Sequence, residues 1–252
     1  MNIVLLTALG VGGATFFGAL VGFLFKNLSH RFSDLILSFA SGVMLCAAIS
    51  GLILTSIELG GNNSVFVCCA GIFSGAFVLN LMDKAVPHLH RLSGADIEGH
   101  GSSNEKLNKV LLFVMAIAIH NLPEGIAAGV GFGTGNTAEA LTIAGGIALQ
   151  NIPEGMVIIA PMLAAGMSRK RTLVIALSTG VVEVVGTLLG FFAVSISNAV
   201  LPFALAFAGG TMLYVISDEM IPETHSHGGE RGATYALLAG FCLMLLMDFY
   251  LG

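Results

Sequence analysis

Two related hexapeptides carry the side chains with the clearest capacity for chemistry. HNLPEG begins at His120 and QNIPEG begins at Gln150, thirty positions later. In a helix, the first and fifth residues of each hexapeptide lie on one face, about one turn apart. His120 with Glu124, and Gln150 with Glu154, can therefore each bind one ion.

Three glutamates lie deep within apolar sequence, namely Glu124, Glu154 and Glu183 of the stretch VVEVVG. Ionisable residues inside a membrane span are costly and usually functional, and neighbouring carboxylates repel unless a proton or a cation joins them. Asn121 and Asn151 lie about 100° around the helix from the preceding residue and can serve an adjoining site. Imidazole, carboxylate and amide groups together suit zinc and other first-row divalent ions better than calcium, magnesium or copper(I). The pattern predicts a transition-metal site.

Interhelical hydrogen bonding is a simpler explanation of the same residues, because Asn, Gln and His commonly bond across packed membrane helices. It accounts for Asn121, Gln150 and Asn151. It does not account for three carboxylates and an imidazole at one depth, so we favour the metal site.

The composition indicates which elements must position these side chains. Hydrophobic residues make up 56% of the 252 residues, charged residues only 10%, and the mean hydropathy is +0.92, whereas soluble proteins carry about 25% charged residues. A spanning helix needs about 20 mainly apolar residues. Apolar stretches predict eight helices at Ile3–Phe25, Phe32–Ile57, Ser64–Met82, Val110–Phe132, Ala140–Ala164, Thr172–Ile196, Ala199–Ile216 and Ala233–Leu251. We therefore predict an all-α integral membrane protein with one transmembrane domain, residues 1–252.

The basic residues predict the orientation of these helices. All ten Lys and Arg fall in the connections after predicted helices 1, 3, 5 and 7. Basic residues collect in cytoplasmic loops, so eight helices with both termini outside fit best, whereas seven helices would divide the charges between the two sides. No basic stripe suggests nucleic-acid binding.

The depth of the hexapeptides suggests an inverted repeat. Pro123 and Pro153 each remove a backbone hydrogen bond and kink their helix. Both motifs fall near the middle of their spans, and the two helices run in opposite directions. Matched, interrupted helices that meet at mid-membrane are typical of transporter binding sites.

The longest predicted connection, residues 83–108, is too polar to bury itself and is expected to be a mobile cytoplasmic loop. It contains His88, His90 and His100, and the connection after predicted helix 7 contains His225 and His227. These histidines form either a low-affinity metal-collecting arm or ordinary solvated linkers, and both interpretations stay open.

At these residues the chain resembles the ZIP (Zrt/Irt-like) family of divalent metal-ion transporters, whose hallmark is a His- and Glu-bearing helix 4 followed by a related helix 5. HNLPEG, QNIPEG and Glu183 carry the resemblance, and the predicted topology extends it over essentially the whole chain. The resemblance implies a primary site from His120, Glu124, Gln150 and Glu154. It also implies an adjoining site from Asn121, Asn151 and Glu183 that shares the two glutamates.

Four further residues resemble family positions. Met44 matches a position that faces the primary site, although a methionine in an apolar core usually only packs. Asp34, Asp218 and Glu219 match positions along the ion pathway and are equally plausible as interfacial charges.

The chain also departs from many relatives. Gln150 replaces a second histidine and Asn151 replaces an aspartate found in some of them. Both changes remove affinity or charge, so weaker primary binding and low occupancy of the adjoining site are expected.

The resemblance implies a carrier in an elevator-type mechanism, in which helices 1, 4, 5 and 6 slide against helices 2, 3, 7 and 8 and the ion moves toward the cytoplasm. Zinc is the first expected substrate, with iron, manganese and cadmium as further ones. The expected location is the plasma or bacterial inner membrane, the lipid bilayer is the surrounding partner, and a homodimer is compatible with the sequence. We expect no resident cofactor.

Two alternatives use the same residues. An intramembrane metal-dependent hydrolase would need one His and two Glu around zinc with an open position for water, but there is no HExxH-type motif or separate general base. A metal-selective channel would use the same site without alternating access.

Overall fold

The computed structural model describes residues 1–25, 29–85, 103–196 and 198–252. Every regular element within those ranges is helical, which confirms the predicted all-α class. The long helices are α1 (Asn2–Leu24), α2 (His30–Leu59), α3 (Ser64–Ala85), α4 (Ser103–Gly131), α5 (Thr137–Ala164), α6 (Arg169–Ile196), α7 (Leu201–Thr224) and α8 (Glu230–Leu251).

Seven helices in the described part of the chain are long and apolar enough to cross a membrane, namely α1, α2, α3, α5, α6, α7 and α8. The remaining long helix, α4, extends over 29 residues and contains the first hexapeptide. The predicted count of eight spans therefore stays a prediction.

Several helices extend beyond the apolar stretches that predicted them. α4 begins at Ser103 rather than Val110, and α6 begins at Arg169 rather than Thr172. Glu, Lys and Arg are good helix formers, so these helices continue past their apolar part. Both ends of the predicted 83–108 loop are consequently helical. His88, His90 and His100 lie outside the described residues, and the mobility of that loop stays a prediction.

Helix α7 is longer than predicted and contains an irregular turn. The apolar stretch ends at Ile216, but a π-helical turn over Ile216–Met220 leads into a last turn, Ile221–Thr224. Pro222 has no N–H to donate, and the wider turn before it accommodates the missing bond. Asp218 and Glu219 therefore lie inside α7, whereas the apolar stretch predicted a helix that ends before them at Ile216.

Close contacts between glycines and neighbouring backbones, together with one hydrogen bond, divide the helices into two groups. A Cβ atom added to any of these glycines would collide with a carbonyl oxygen of the partner helix. In the first group, which we call the α1/α4/α5/α6 group, such glycines join α1 to α5 and α6, and α4 to α6 (Gly12, Gly18, Gly129, Gly155, Gly180, Gly190). In the second, the α2/α3/α7/α8 group, they join α2 to α8 and α3 to α7 (Gly42, Gly75, Gly210, Gly240), and a hydrogen bond of 2.6 Å from the Ser56 hydroxyl of α2 to the carbonyl oxygen of Pro202 in α7 joins the two pairs.

The boundary between the groups is different, because described glycines there meet only side chains of the other group. Gly51 of α2 faces the Ile143 side chain, and Gly146 of α5 faces the Met244 sulfur. The main apolar cluster occupies this boundary and includes Met44, Leu52, Ala127, Ala128, Ile143, Ile147, Leu205 and Met212. Within a group the backbones therefore touch, whereas across the boundary side chains touch.

Candidate functional site

The two hexapeptides lie on adjacent helices, α4 and α5, and their side chains contact each other. The Gln150 Nε2 donates a hydrogen bond of 2.9 Å to Glu124 Oε1, and both side chains are buried. Each proline lies inside its helix, which continues on both sides of it. The first residue of one hexapeptide thus bonds to the fifth residue of the other.

Glu183 connects three helices at the same site. Its Oε1 accepts a hydrogen bond of 2.7 Å from the Thr15 hydroxyl of α1, and its Oε2 accepts a hydrogen bond of 2.8 Å from the Asn151 Nδ2 of α5. Thr15 is absent from the sequence-based site. The available signal was a threonine halfway along an apolar helix, between Gly12 and Gly18.

The glycine that ends each hexapeptide allows these contacts. A Cβ at Gly125 would collide with the carbonyl oxygen of Glu183, and a Cβ at Gly155 would collide with that of Thr15. The same position of the two motifs therefore brings α4 against α6 and α5 against α1. These close approaches hold Glu183 and Thr15 beside the polar residues of the hexapeptides.

Four buried oxygens at this site have no hydrogen-bond partner: Asn121 Oδ1, Glu124 Oε2, Gln150 Oε1 and Asn151 Oδ1. The only other buried side-chain atoms without one in the described residues are hydroxyls of Ser38 and Thr172. The side-chain amide nitrogens of Asn121, Gln150 and Asn151 each donate a hydrogen bond to a carbonyl or carboxylate oxygen. Asn121 Nδ2, for example, donates a hydrogen bond of 3.3 Å to the carbonyl oxygen of Thr179. In each of these three amides the oxygen is therefore the atom without a hydrogen-bond partner. Buried acceptors without partners are costly, and a cation is one kind of partner that such oxygens accept.

The charges favour a cation as well. Glu124 lies close enough to both Glu154 and Glu183 to interact electrostatically with them, and Glu154 interacts in the same way with His120. Three neighbouring carboxylates repel one another in an apolar environment. A divalent ion would remove most of that repulsion, as would protons on one or two of the carboxyl groups.

His120 contacts a different helix from the one the motif suggested. Its Nε2 lies 2.9 Å from Glu219 Oε1 of α7, and the two side chains are 12% and 23% exposed. In the described residues, no three His, Cys, Asp or Glu side chains are placed to hold one metal ion. His120, Glu124 and Glu154 are thus neighbours without converging on one point, and the predicted ligand set stays a prediction.

The other candidate residues of α2 and α7 occupy three regions. Met44 is fully buried within the apolar cluster between the helix groups, where it packs against hydrocarbon. Asp218 lies beside Glu219 in the π-helical turn of α7. Asp34 lies near the start of α2, and its Oδ1 lies 3.2 Å from His227 Nδ1, within hydrogen-bond distance.

Both ring nitrogens of His225 contact oxygen atoms of neighbouring residues. Its Nδ1 lies 2.9 Å from the carbonyl oxygen of Ile221, and its Nε2 lies 3.2 Å from the Thr234 hydroxyl of α8. These contacts connect the end of α7 to the start of α8. The metal-binding role predicted for His225 and His227 stays a prediction.

Comparison of the sequence with known proteins supports the resemblance inferred from the two hexapeptides. The family described as ZIP Zinc transporter matches residues 90–248. The chain is 42% identical to the zinc transporter GufA of Myxococcus xanthus, over 98% of each chain. It is 36% identical to the zinc transporter ZIPB of Bordetella bronchiseptica, over 95% of this chain and 78% of that protein. Human zinc transporter ZIP11 is 29% identical, over 95% of this chain and 94% of its own length. This integral membrane protein therefore belongs to the ZIP family of zinc transporters.

Proposed function

We propose that this chain is a transporter that moves Zn²⁺ and similar first-row divalent ions across the membrane, toward the cytoplasm, through the site on α4, α5 and α6. The relatives named as zinc transporters support the substrate class. The observation that carries the site is the set of four buried oxygens without partners, which adjoin three carboxylates in apolar helices. We place the protein in the plasma or bacterial inner membrane.

In this proposal His120 exchanges Glu219 for the ion. His120 then joins Glu124, Gln150 and Glu154 as the primary ligands, while Asn121, Asn151 and Glu183 form the adjoining site. Both Glu183 oxygens already accept hydrogen bonds, which supports weaker binding at the adjoining site. The Glu219 carboxylate lies 2.9 Å from His120, so it is also suitably placed to receive the ion next.

The proposed topology has eight spans, both termini outside, and inverted repeats that meet at the site. Glycines at matching positions of the two hexapeptides, each against the backbone of a different helix, support the repeat. The location of all ten basic residues between the apolar stretches of predicted helices 1 and 2, 3 and 4, 5 and 6, and 7 and 8 supports the orientation. The homodimer is a further expectation of the same kind.

The division of the helices supports an elevator-type mechanism. Every proposed ligand of the two sites, together with Thr15, belongs to the α1/α4/α5/α6 group, so a bound ion would move with that group. Hydrogen bonds between described residues cross the boundary. His120 Nε2 lies 2.9 Å from Glu219 Oε1 of α7, and the Thr55 Oγ1 of α2 donates a hydrogen bond of 2.9 Å to Glu139 Oε1 of α5. A sliding movement has to break both of them.

Cross-linking across the boundary is expected to stop uptake. With Cys46, Cys68, Cys69 and Cys242 replaced, the pair Thr55→Cys and Glu139→Cys can be joined by a short reagent with a reducible disulfide. We expect zinc uptake to fall in proportion to the cross-linked fraction and to recover after reduction, because the link prevents α5 from moving past α2.

The neighbouring residue provides a matched control. The Ser56 hydroxyl donates a hydrogen bond of 2.6 Å to the carbonyl oxygen of Pro202, and both residues belong to the α2/α3/α7/α8 group. The pair Ser56→Cys and Pro202→Cys should cross-link without loss of uptake. Full uptake by the cross-linked 55/139 pair would exclude sliding at this boundary.

Uptake into proteoliposomes that contain the purified full chain tests the function itself. We expect saturable zinc uptake, inhibited by other first-row divalent ions and little affected by magnesium or calcium. The absence of uptake by correctly folded protein would contradict the proposal. Currents that do not saturate under voltage clamp would indicate a channel that uses the same residues.

A further inference from the structure

Thr15 is the one polar side chain among the buried residues of α1, and it lies outside the predicted ligand set. It is 1% exposed, and its hydroxyl donates a hydrogen bond of 2.7 Å to Oε1 of Glu183, which is fully buried. The two residues are 168 positions apart in the sequence. Hydrogen bonds are stronger in an apolar interior than in water, so Thr15 restrains one oxygen of Glu183.

The hydroxyl of Thr15 does not use the partner that is usual for a threonine inside a helix. Several buried threonines of α6 and α7 donate to a carbonyl oxygen three or four positions earlier in their own helix (Thr179, Thr187, Thr211, Thr224). For Thr15 the equivalent acceptor is the carbonyl oxygen of Val11. That oxygen instead accepts a hydrogen bond of 3.3 Å from Asn151 Nδ2. The hydroxyl of Thr15 is therefore directed to another helix.

The Asn151 side chain completes a series of contacts that joins α1, α6 and α5. Its Nδ2 donates a hydrogen bond of 2.8 Å to Glu183 Oε2 and one of 3.3 Å to the carbonyl oxygen of Val11. A backbone carbonyl oxygen can only accept a hydrogen bond, so the amide nitrogen rather than the amide oxygen must face Val11. This orientation leaves Oδ1 of Asn151, which has no hydrogen-bond partner, as the atom available to a cation.

Two glycine contacts fix the position of Thr15 relative to these partners. A Cβ at Gly155 of α5 would collide with the carbonyl oxygen of Thr15, and a Cβ at Gly180 of α6 would collide with that of Gly12. The backbones of α5 and α6 therefore both approach α1 within about one turn of Thr15. A side chain held on closely packed helices is well suited to orient its neighbours.

We propose that Thr15 is a positioning residue for the transported ion. Its hydroxyl orients Glu183, and Glu183 together with the carbonyl oxygen of Val11 holds the Asn151 amide with Oδ1 free for an ion at the adjoining site. Thr15 itself does not contact the ion in this proposal. The proposal deepens the proposed function and rests on it, because the ion and the adjoining site are those proposed there.

Replacement of Thr15 by valine tests this role, because valine has nearly the same shape but no hydroxyl. Loss of a residue that orients a metal ligand costs about 10–100-fold in metal affinity or activity. In Thr15→Val we expect the maximal rate of zinc uptake, measured with the full chain in proteoliposomes, to fall by that factor. The dissociation constant of the tightly bound zinc ion, measured in detergent against a competing chelator, should stay unchanged, because the primary site is proposed from other residues.

Further variants separate positioning from packing. Thr15→Ser keeps the hydroxyl and should restore uptake. Thr211→Val is the matched control, because Thr211 is similarly buried and its hydroxyl donates only within its own helix, to the carbonyl oxygen of Ala208; it should retain uptake. Thr15→Val combined with Glu183→Gln should lower uptake no further than the more severe single variant, because both changes interrupt the same series of contacts.

Several results would overturn the proposal. A fall of less than about tenfold in Thr15→Val would do so, as would an equal fall in Thr15→Ser or a weaker dissociation constant of the tightly bound ion. A double variant in which the two losses multiply would show that Thr15 does not act through Glu183. The absence of uptake by the wild type would contradict the proposed function itself, whereas full uptake by both the wild type and Thr15→Val would overturn only this proposal.

Discussion

Zinc uptake is expected to disappear when either Glu124 or Glu154 is replaced by alanine, because both carboxylates are proposed to serve the primary and the adjoining site. Loss of a residue that only orients a metal ligand costs about 10–100-fold in affinity or activity, and loss of a direct ligand should cost at least as much. Initial uptake rates in proteoliposomes, at equal incorporated protein, provide the measurement.

Two controls separate the loss of a ligand from the loss of packing. Glu124→Gln keeps the size of the side chain and an oxygen that accepts from Gln150, but it removes the charge and should also lose most uptake. Glu58→Ala changes an exposed glutamate at the end of α2 and should retain uptake. More than half of the wild-type rate in Glu124→Ala or Glu154→Ala would show that the transport site lies elsewhere.

The second large effect is expected in the stability of the folded protein, at Gly12. A Cβ there would collide with the carbonyl oxygen of Gly180, in a contact of α1 with α6 that cannot relax without moving a backbone. Overpacking of this kind costs about 1–3 kcal/mol. Gly12→Ala should therefore lower both the yield of monodisperse protein and the midpoint of thermal aggregation in detergent.

The adjacent glycine provides the matched comparison. A Cβ at Gly13 would have nothing within 4 Å, and this residue is exposed. Both substitutions increase helix propensity by about 1 kcal/mol, so their difference isolates the collision. Gly13→Ala should be as stable as the wild type or slightly more so. Equal behaviour of the two variants would mean that the α1–α6 contact contributes little to stability.

The sequence predicted most of the helices and identified two hexapeptides that contact each other in the structure, because both depend on local patterns; the ligand set stays a prediction. Apolar length determines where a helix can lie in a membrane, and the spacing within HNLPEG and QNIPEG determines which side chains share a face. Gln150 of one hexapeptide contacts Glu124 of the other, which is a contact between two helices that the spacing within each hexapeptide does not specify. The family resemblance rested on the same residues and was confirmed over almost the full chain.

What the sequence missed depends on pairs of helices distant along the chain. The contact of His120 with Glu219 joins residues 99 positions apart, and that of Thr15 with Glu183 joins residues 168 positions apart. No local pattern connects such residues. The predicted end of α7, Ile216, was too early. Two acidic residues and a proline follow it (Asp218, Glu219, Pro222), and such residues usually lie outside an apolar helix. In the structure the helix continues past them through a π-helical turn.

The side-chain boundary between the two helix groups has a consequence for the rate of conformational exchange. Its apolar cluster contains Met44, Met212 and Met244, and methionine adapts its unbranched, flexible chain to changing surroundings more easily than other apolar residues. In the proposed elevator-type mechanism, such a surface would settle into a new arrangement without separating interlocked backbones, and we therefore expect a low activation barrier to sliding. Size-matched changes at these methionines should therefore alter turnover more than expression, whereas changes at the glycine contacts within a group should alter expression more than turnover.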